Sequence, residues 1–207
     1  IANIKNGEGF IAVSAEARKR FWLDRARTAA IAKHTNAFKI NEDVVIPLPN
    51  LGRYANEIEK INIEQSIFNK LTLIGELETL FNFNFLSNFK NDLDEDLLEE
   101  KKNKALGHLS SIKNKWSGYI DGFDRSAKEF PQLTEHFGED TILDLIKSHR
   151  LRVSWKSELK KPLEDIFTGR EYLAIRDLIY KKHQEVLKSR LFVALHMHAG
   201  DGNIHTN

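Results

Sequence analysis

The chain has 207 residues, which allows one domain or one domain with a large insertion, and its 41% apolar content is that of a soluble globular protein. Its 31 Lys and Arg balance 30 Asp and Glu to a net charge of +1, which excludes a global basic field for nucleic acid or an acidic membrane. Cysteine is absent, which excludes disulfides and thiolate metal sites, and no apolar run reaches the roughly 18 residues of a membrane span.

The first region, residues 1–49, has the mixed character of an α+β domain. Ser14 is the expected N-cap of a helix. One face of that helix is predicted to pack, because its residues fall at helical spacing: Ala17, Phe21, Trp22, Arg25, Thr28, Ala29 and Ala32. The later string AFKINEDVVIP predicts an extended segment that ends at Pro47, because proline lacks the N–H that a strand ladder needs. We therefore expect a small mixed sheet with packed helices.

The second region, residues 50–188, has little proline, and its apolar residues recur at intervals of three and four. This spacing predicts a long helix from Tyr54 to about Phe81. We interpret the region as a large, mostly helical insertion that interrupts the α+β domain. Further helices are predicted over about 97–123, 139–149, 152–167 and 170–188. Three aromatic residues at helical spacing are interpreted as helix core, with a docking surface as the alternative: Trp116, Tyr119 and Trp155.

The third region, residues 189–207, is predicted to return to the α+β domain. Leu191–Leu195 predicts a buried strand, which leads into the string HAGDGNIH. The Gly-Asp-Gly turn between His198 and His205 can bring both imidazoles to one metal ion, with a third protein ligand from elsewhere. The fold class predicted for the whole chain is α+β, with helices dominating overall.

Two alternatives apply to this polar cluster. It can be a strand-end turn in which Asp201 and Asn203 satisfy backbone groups and the histidines are surface residues. Alternation along a strand places His196 on the same face as His198. There it either orients a neighbouring ligand or is a hydrogen-bonded structural residue.

The strings HAGDGNIH, FWLDR and AFKINEDVVIP together resemble the C-terminal, substrate-binding domain of FAD-linked oxidases of the vanillyl-alcohol-oxidase type. The closest branch resembles the D-lactate and D-2-hydroxyglutarate dehydrogenases. The subgroup is similar to large bacterial FAD/FMN-containing oxidoreductases with an expanded helical segment. The resemblance implies an FAD-dependent enzyme that oxidises a D-2-hydroxy acid such as D-lactate and passes the electrons to an acceptor that the sequence does not identify.

The resemblance also implies roles for individual residues. The two histidines of the family's H-x-G-D-G-N-x-H string bind a divalent metal such as zinc or manganese, so His198 and His205 are the expected metal ligands and catalytic residues. Asn203 is expected to contact the cofactor, and Asn207 matches a residue that contacts substrate. Arg25 and Lys39 resemble the pair that holds the substrate carboxylate, for which guanidinium offers a two-pronged donor.

This chain departs from the family pattern in two ways. Where the family often has a hydroxyl four residues after the arginine, Ala29 stands here, with Thr28 one position earlier. The Glu-His-Gly string that supplies the family's third metal ligand and its base does not occur. The sequence also lacks an initiator Met, so we expect a piece of a larger protein that is inactive without its FAD-binding domain.

The expected partners are that FAD-binding domain and a small-molecule 2-hydroxy acid, with no nucleic acid. Iron–sulfur clusters are expected only elsewhere in the parent protein, and the expected location is cytoplasmic or peripheral to the inner membrane. Two other functions stay open. A metal-dependent hydrolase would use His198, His205 and Asp201 on a metal-bound water and need no flavin. A non-catalytic helical module would bind a partner through residues 50–188 and have no metal affinity.

Overall fold

The computed structural model describes residues 11–28, 42–83, 89, 94–131, 133, 137–193, 195–198 and 202–206. The helices in these ranges are α1 (Ala15–Thr28), α2 (Leu51–Asn82), α3 (Glu95–Asp121), α4 (Ile142–Lys147), α5 (Lys161–Ile166) and α6 (Leu173–Ser189). Short 3-10 turns lie at Leu48–Asn50, Ala127–Glu129 and Arg170–Tyr172, and a π-helical turn, Trp155–Lys160, leads into α5. The strands are β1 (Glu42–Val45), β2 (Leu195–His198) and β3 (Asn203–Thr206). The prediction of a helix-dominated chain is confirmed.

Helix α2 follows the apolar spacing that predicted it. Ile67, Ile74, Leu77 and Phe81 recur at intervals of seven, three and four residues, and all are buried on the side that packs against α3 and α6. Burying each such side chain contributes about 1.5–3 kcal/mol relative to leaving it exposed. The stripe therefore makes α2 the central helix of the described core.

Helix α3 begins at Glu95, two residues before the predicted start at about residue 97. The carboxylate of Asp94 accepts a hydrogen bond from the backbone N–H of Leu97 at 2.9 Å and so caps the first turn. Trp116 and Tyr119 are fully buried in this helix, which confirms that they belong to the core. Trp155 packs against the same core and stacks on the imidazole of His183, with 4.3 Å between ring centroids.

Helix α1 is capped as predicted but does not pack as predicted. The Ser14 hydroxyl accepts a hydrogen bond from the N–H of Ala17 at 3.0 Å. Phe21 and Trp22 are 52% and 63% exposed, so the prediction that their face packs is wrong for these two residues. The reason is that the buried apolar cluster of the described chain is built from α2, α3 and the segments that follow them.

The sheet is small, and β1 is far from β2 and β3 in the sequence. Strand β3 lies between β1 and β2, and both pairings are antiparallel. The three described strands thus form an antiparallel sheet, where the sequence predicted a mixed one. Between β1 and β2 the chain runs through the helices α2 to α6.

The prediction of a strand at Leu191–Leu195 is wrong about the position of the strand. The strand begins at Leu195, residues 191–193 have no regular structure, and Leu191 is 67% exposed. The carbonyls of Leu191 and Val193 instead accept hydrogen bonds from the side chains of Asn69 and Asn62 on α2. This segment therefore lies along a helix before the chain enters the sheet.

Within the described ranges, none of the helices combines the length and the apolar character needed to cross a bilayer.

Candidate metal and substrate site

The candidate site is built on the antiparallel pairing of β2 and β3. His196 lies opposite His205, and His198 lies opposite Asn203. Cα atoms of directly opposite residues in an antiparallel pair are about 4.5–5.5 Å apart. The fold thus brings the backbone positions of the predicted cluster together, although the two predicted ligands are diagonal neighbours and not a directly opposite pair.

Strand β1 adds a carboxylate-bearing residue to the same face. Asp43 lies opposite His205 on the other side of β3, and Val45 lies opposite Asn203. Because successive residues of a strand alternate between faces, Asp43, His205 and His196 share one face. Ile204, which is fully buried, belongs to the opposite face. The register therefore separates a polar face of the sheet from the face that carries this apolar residue.

Gly202 fixes the turn that joins the two histidine-bearing strands. Its φ is +69°, a left-handed conformation that glycine adopts without steric cost, and its carbonyl accepts a hydrogen bond from the N–H of Ile46 at 2.8 Å. A Cβ at Gly202 would lie well inside the van der Waals contact distance from the Ile46 carbonyl oxygen. Gly202 thus packs against Ile46, the residue that follows β1, and only glycine fits at this position.

The approach to β2 is fixed by two asparagines on α2. Asn62 and Asn69 are seven residues apart, or two helical turns, so they lie on one face of the helix. The Asn62 amide donates to the carbonyl of Val193 at 2.8 Å and accepts from the N–H of Val193 at 2.7 Å. Val193 lies five positions before His198, so α2 sets where the strand begins.

The structure describes the backbone of some predicted site residues and leaves others undescribed. His198, His205 and Asn203 lie in the hairpin strands, and Arg25 lies in α1, but their side chains fall outside the described ones. Lys39 and Asn207 lie outside the described residues altogether, as does Asp201 of the hydrolase hypothesis. Among the side chains that are described, no three His, Asp or Glu residues are grouped closely enough to hold a metal ion. The assignments of all these residues stay predictions.

Sequence reasoning did not single out Asp43 or Asn62. The signal for Asp43 is its position in a short β-branched strand that ends at Pro47, but its neighbour on β3 is more than 150 positions away in the chain. The signal for Asn62 is an amide that recurs seven residues later at Asn69, on the same face of the helix. Neither signal identifies the partner by itself.

Comparison with known families bears on the first half of the chain. Residues 2–96 match the family model described as FAD linked oxidases, C-terminal domain. This end of the chain is thus supported as part of an FAD-linked oxidase. The matched range includes Arg25, Lys39 and β1, and it ends in the first turn of α3. No match was found among curated proteins or among solved structures.

Proposed function

We propose that this chain supplies the substrate side of an FAD-dependent oxidoreductase that oxidises a D-2-hydroxy acid such as D-lactate. The proposal rests on the sheet register, which puts Asp43, His196 and His205 on one face. Asp43 lies in the segment that matches the FAD-linked oxidases, and the two histidines lie outside it. An oxidoreductase function for the parent protein follows from the family. The hydroxy acid, the metal and the residue roles are the proposal itself.

The residues of the hairpin fit a divalent metal by their chemistry. Imidazole nitrogens and carboxylate oxygens are ligands that zinc and manganese accept, and His198 and His205 would hold the ion. When bound there, a divalent ion lowers the pKa of a coordinated hydroxyl group. Asp43 is opposite His205 in the register, and its carboxylate would orient the imidazole of His205.

The other proposed residues bind and orient the substrate. The guanidinium of Arg25 and the ammonium of Lys39 would pair with the substrate carboxylate, and Asn207 would donate to a substrate oxygen. Holding the substrate by its carboxylate fixes the direction of its C–H bond and makes the transfer effectively intramolecular. In the intact protein, the FAD that Asn203 would contact would accept the hydride, and a general base would take the proton of the substrate hydroxyl.

The test is a flavin-reduction assay on the intact protein under anaerobic conditions, with a panel of D- and L-2-hydroxy acids. A D-hydroxy acid should bleach the flavin absorbance. His198→Ala should abolish bleaching, and Arg25→Ala should require at least about tenfold more substrate for it, while the flavin stays bound in both variants. Arg20→Ala, at an exposed arginine of α1, is the matched control and should behave as the native protein. Metal content measured on the same samples should fall in His198→Ala.

Three outcomes would contradict the proposal. If no hydroxy acid bleaches the flavin, the substrate class is wrong. If hydrolysis of an ester or phosphate depends on His198 and proceeds without flavin, the hydrolase function is favoured. If the protein holds no metal and His198→Ala equals the native protein, the helical interaction module becomes the better hypothesis.

A further inference from the structure

A groove in the helical part of the chain lies between α2 and the segment that follows α4. Its volume is about 780 Å³, within the range of roughly 300–1,000 Å³ that is typical of small-molecule sites. Val193, which Asn62 holds, is among the residues that line it. The groove is therefore formed by the same α2 surface that positions the approach to β2.

The walls of the groove are mainly aliphatic. Ile58, Ile63 and Ile67 of α2 face Ile146, Leu151 and Val153 across it. Side chains of this kind favour an apolar body of a ligand, because burying apolar surface from water releases about 25 cal/mol per Å². The charged side chains of the groove determine which polar group the ligand must have.

Within the part of the chain that the structure describes, neither Lys70 nor Arg152 of the groove forms an ion pair. Lys70 is half-buried, and its ammonium donates to the hydroxyl of Ser66 at 2.7 Å and to the Ser66 carbonyl at 3.1 Å, with no ion pair to any described residue. Arg152 is exposed at the groove and likewise makes no ion pair within the described chain. The acid of the lining, Glu59, is already paired with Lys147 at 3.4 Å.

The environment of Lys70 favours a bound anion. Burial lowers the pKa of Lys70, and the negative charge of Glu158 opposes this only in part. The carboxylate of Glu158 is itself engaged, by the ammonium of Lys115 at 2.8 Å and by the N–H of Ser154 at 2.7 Å. One N–H of Lys70 thus has no partner among the described residues and is available to a ligand.

We propose that this groove binds an amphipathic organic anion. A carboxylate or phosphate group would pair with Lys70 and Arg152, and an aliphatic body would lie along the isoleucines of α2. The proposal is independent of the oxidation chemistry, because it uses none of the residues assigned to it.

The experiment is titration calorimetry of the intact protein with octanoate and octyl phosphate, and with octan-1-ol as a neutral probe of equal length. Both anions should bind, and the alcohol should bind at least about tenfold more weakly, because it lacks the charge-assisted hydrogen bonds. Lys70→Gln and Arg152→Gln should each weaken anion binding about tenfold, whereas Lys70→Arg should retain most of it.

Lys113→Gln provides the matched control, since Lys113 on α3 is paired with Glu78 at 2.7 Å and does not line the groove. It should leave binding unchanged. The proposal is overturned if neither anion binds, if the alcohol binds as well as the anions, or if Lys113→Gln weakens binding as much as the groove variants. Should Lys70→Gln fail to fold, Arg152→Gln decides the matter, because Arg152 is an exposed residue.

Discussion

The side-chain amide of Asn62 forms two hydrogen bonds with the backbone of Val193, one in each direction, at 2.8 and 2.7 Å. The amide thus replaces the neighbouring strand that Val193 would otherwise need. It joins α2 to the start of the histidine-bearing hairpin across 131 positions of sequence.

We expect Asn62→Leu to destabilise the fold measurably. The N–H and carbonyl of Val193 are partly buried with this partner, and leaving a buried polar group unsatisfied costs about 1–3 kcal/mol. Urea denaturation should show the loss. Asn69→Leu is the matched control, because Asn69 makes one exposed hydrogen bond, to Leu191 at 3.1 Å, and should cost less. Equal losses for the two variants would argue against a special role for Asn62.

A second prediction concerns Gly202. Gly202→Ala should lower the free energy of unfolding by more than the 1–2 kcal/mol typical of a left-handed alanine, because its Cβ would also clash with the Ile46 carbonyl. Faster hydrogen exchange at the Ile46 amide, which donates to the Gly202 carbonyl, should locate the damage. Gly107→Ala is the control. This glycine is exposed inside α3 with open space around it, so alanine should stabilise by about 0.5–1 kcal/mol.

The helices could be predicted from sequence because their evidence is local. The apolar stripe that ends at Phe81 and the N-cap residues Ser14 and Asp94 act within a few residues of themselves. The end of β1 before Pro47 is equally local, since proline removes the donor that a ladder requires. Short stretches of sequence are therefore enough to predict these parts of the fold.

The failures share a different cause. The segment that begins at Leu191 has the apolar composition of a buried strand. The carbonyl of Leu191 nevertheless accepts a hydrogen bond from Asn69, which lies 122 positions earlier. Phe21 and Trp22 have helical spacing, yet spacing does not say whether another element covers that face. The pairing of Asp43 with His205 depends on strand register, which distant residues determine. The sequence therefore does not predict which residues distant in the chain contact each other.

The third prediction is a pH dependence that arises at His183. Burial lowers the pKa of this imidazole, and the positive charge of Lys160 lowers it further. The unfolded chain keeps an ordinary histidine pKa of about 6.5, so it binds a proton at pH values where the folded chain does not. The contribution of His183 to stability is thus complete above about pH 6.5 and is lost as the pH falls from there towards the lowered folded-state pKa.

His183→Phe tests this linkage while keeping a ring to stack on Trp155. The free energy of unfolding should decline less between pH 7.5 and pH 5 in this variant than in the native protein. His149→Asn is the control, because His149 is exposed and asparagine tolerates its φ of 59°. A native-like decline in His183→Phe would place the pH dependence on other groups.

The last prediction concerns Arg25 and rests on the proposed oxidation of a hydroxy acid. If its guanidinium binds the substrate carboxylate, Arg25→Gln should raise the KM for D-lactate at least about tenfold in the intact protein, with a smaller effect on kcat. Arg25→Lys should be intermediate, since it keeps the charge but loses the two-pronged geometry. Arg20→Gln is the control. Arg20 lies five residues earlier on α1, about 140° around the helix, and is exposed. Because a general weakening of α1 would affect both variants alike, equal KM values for Arg25→Gln and Arg20→Gln would remove Arg25 from the substrate site.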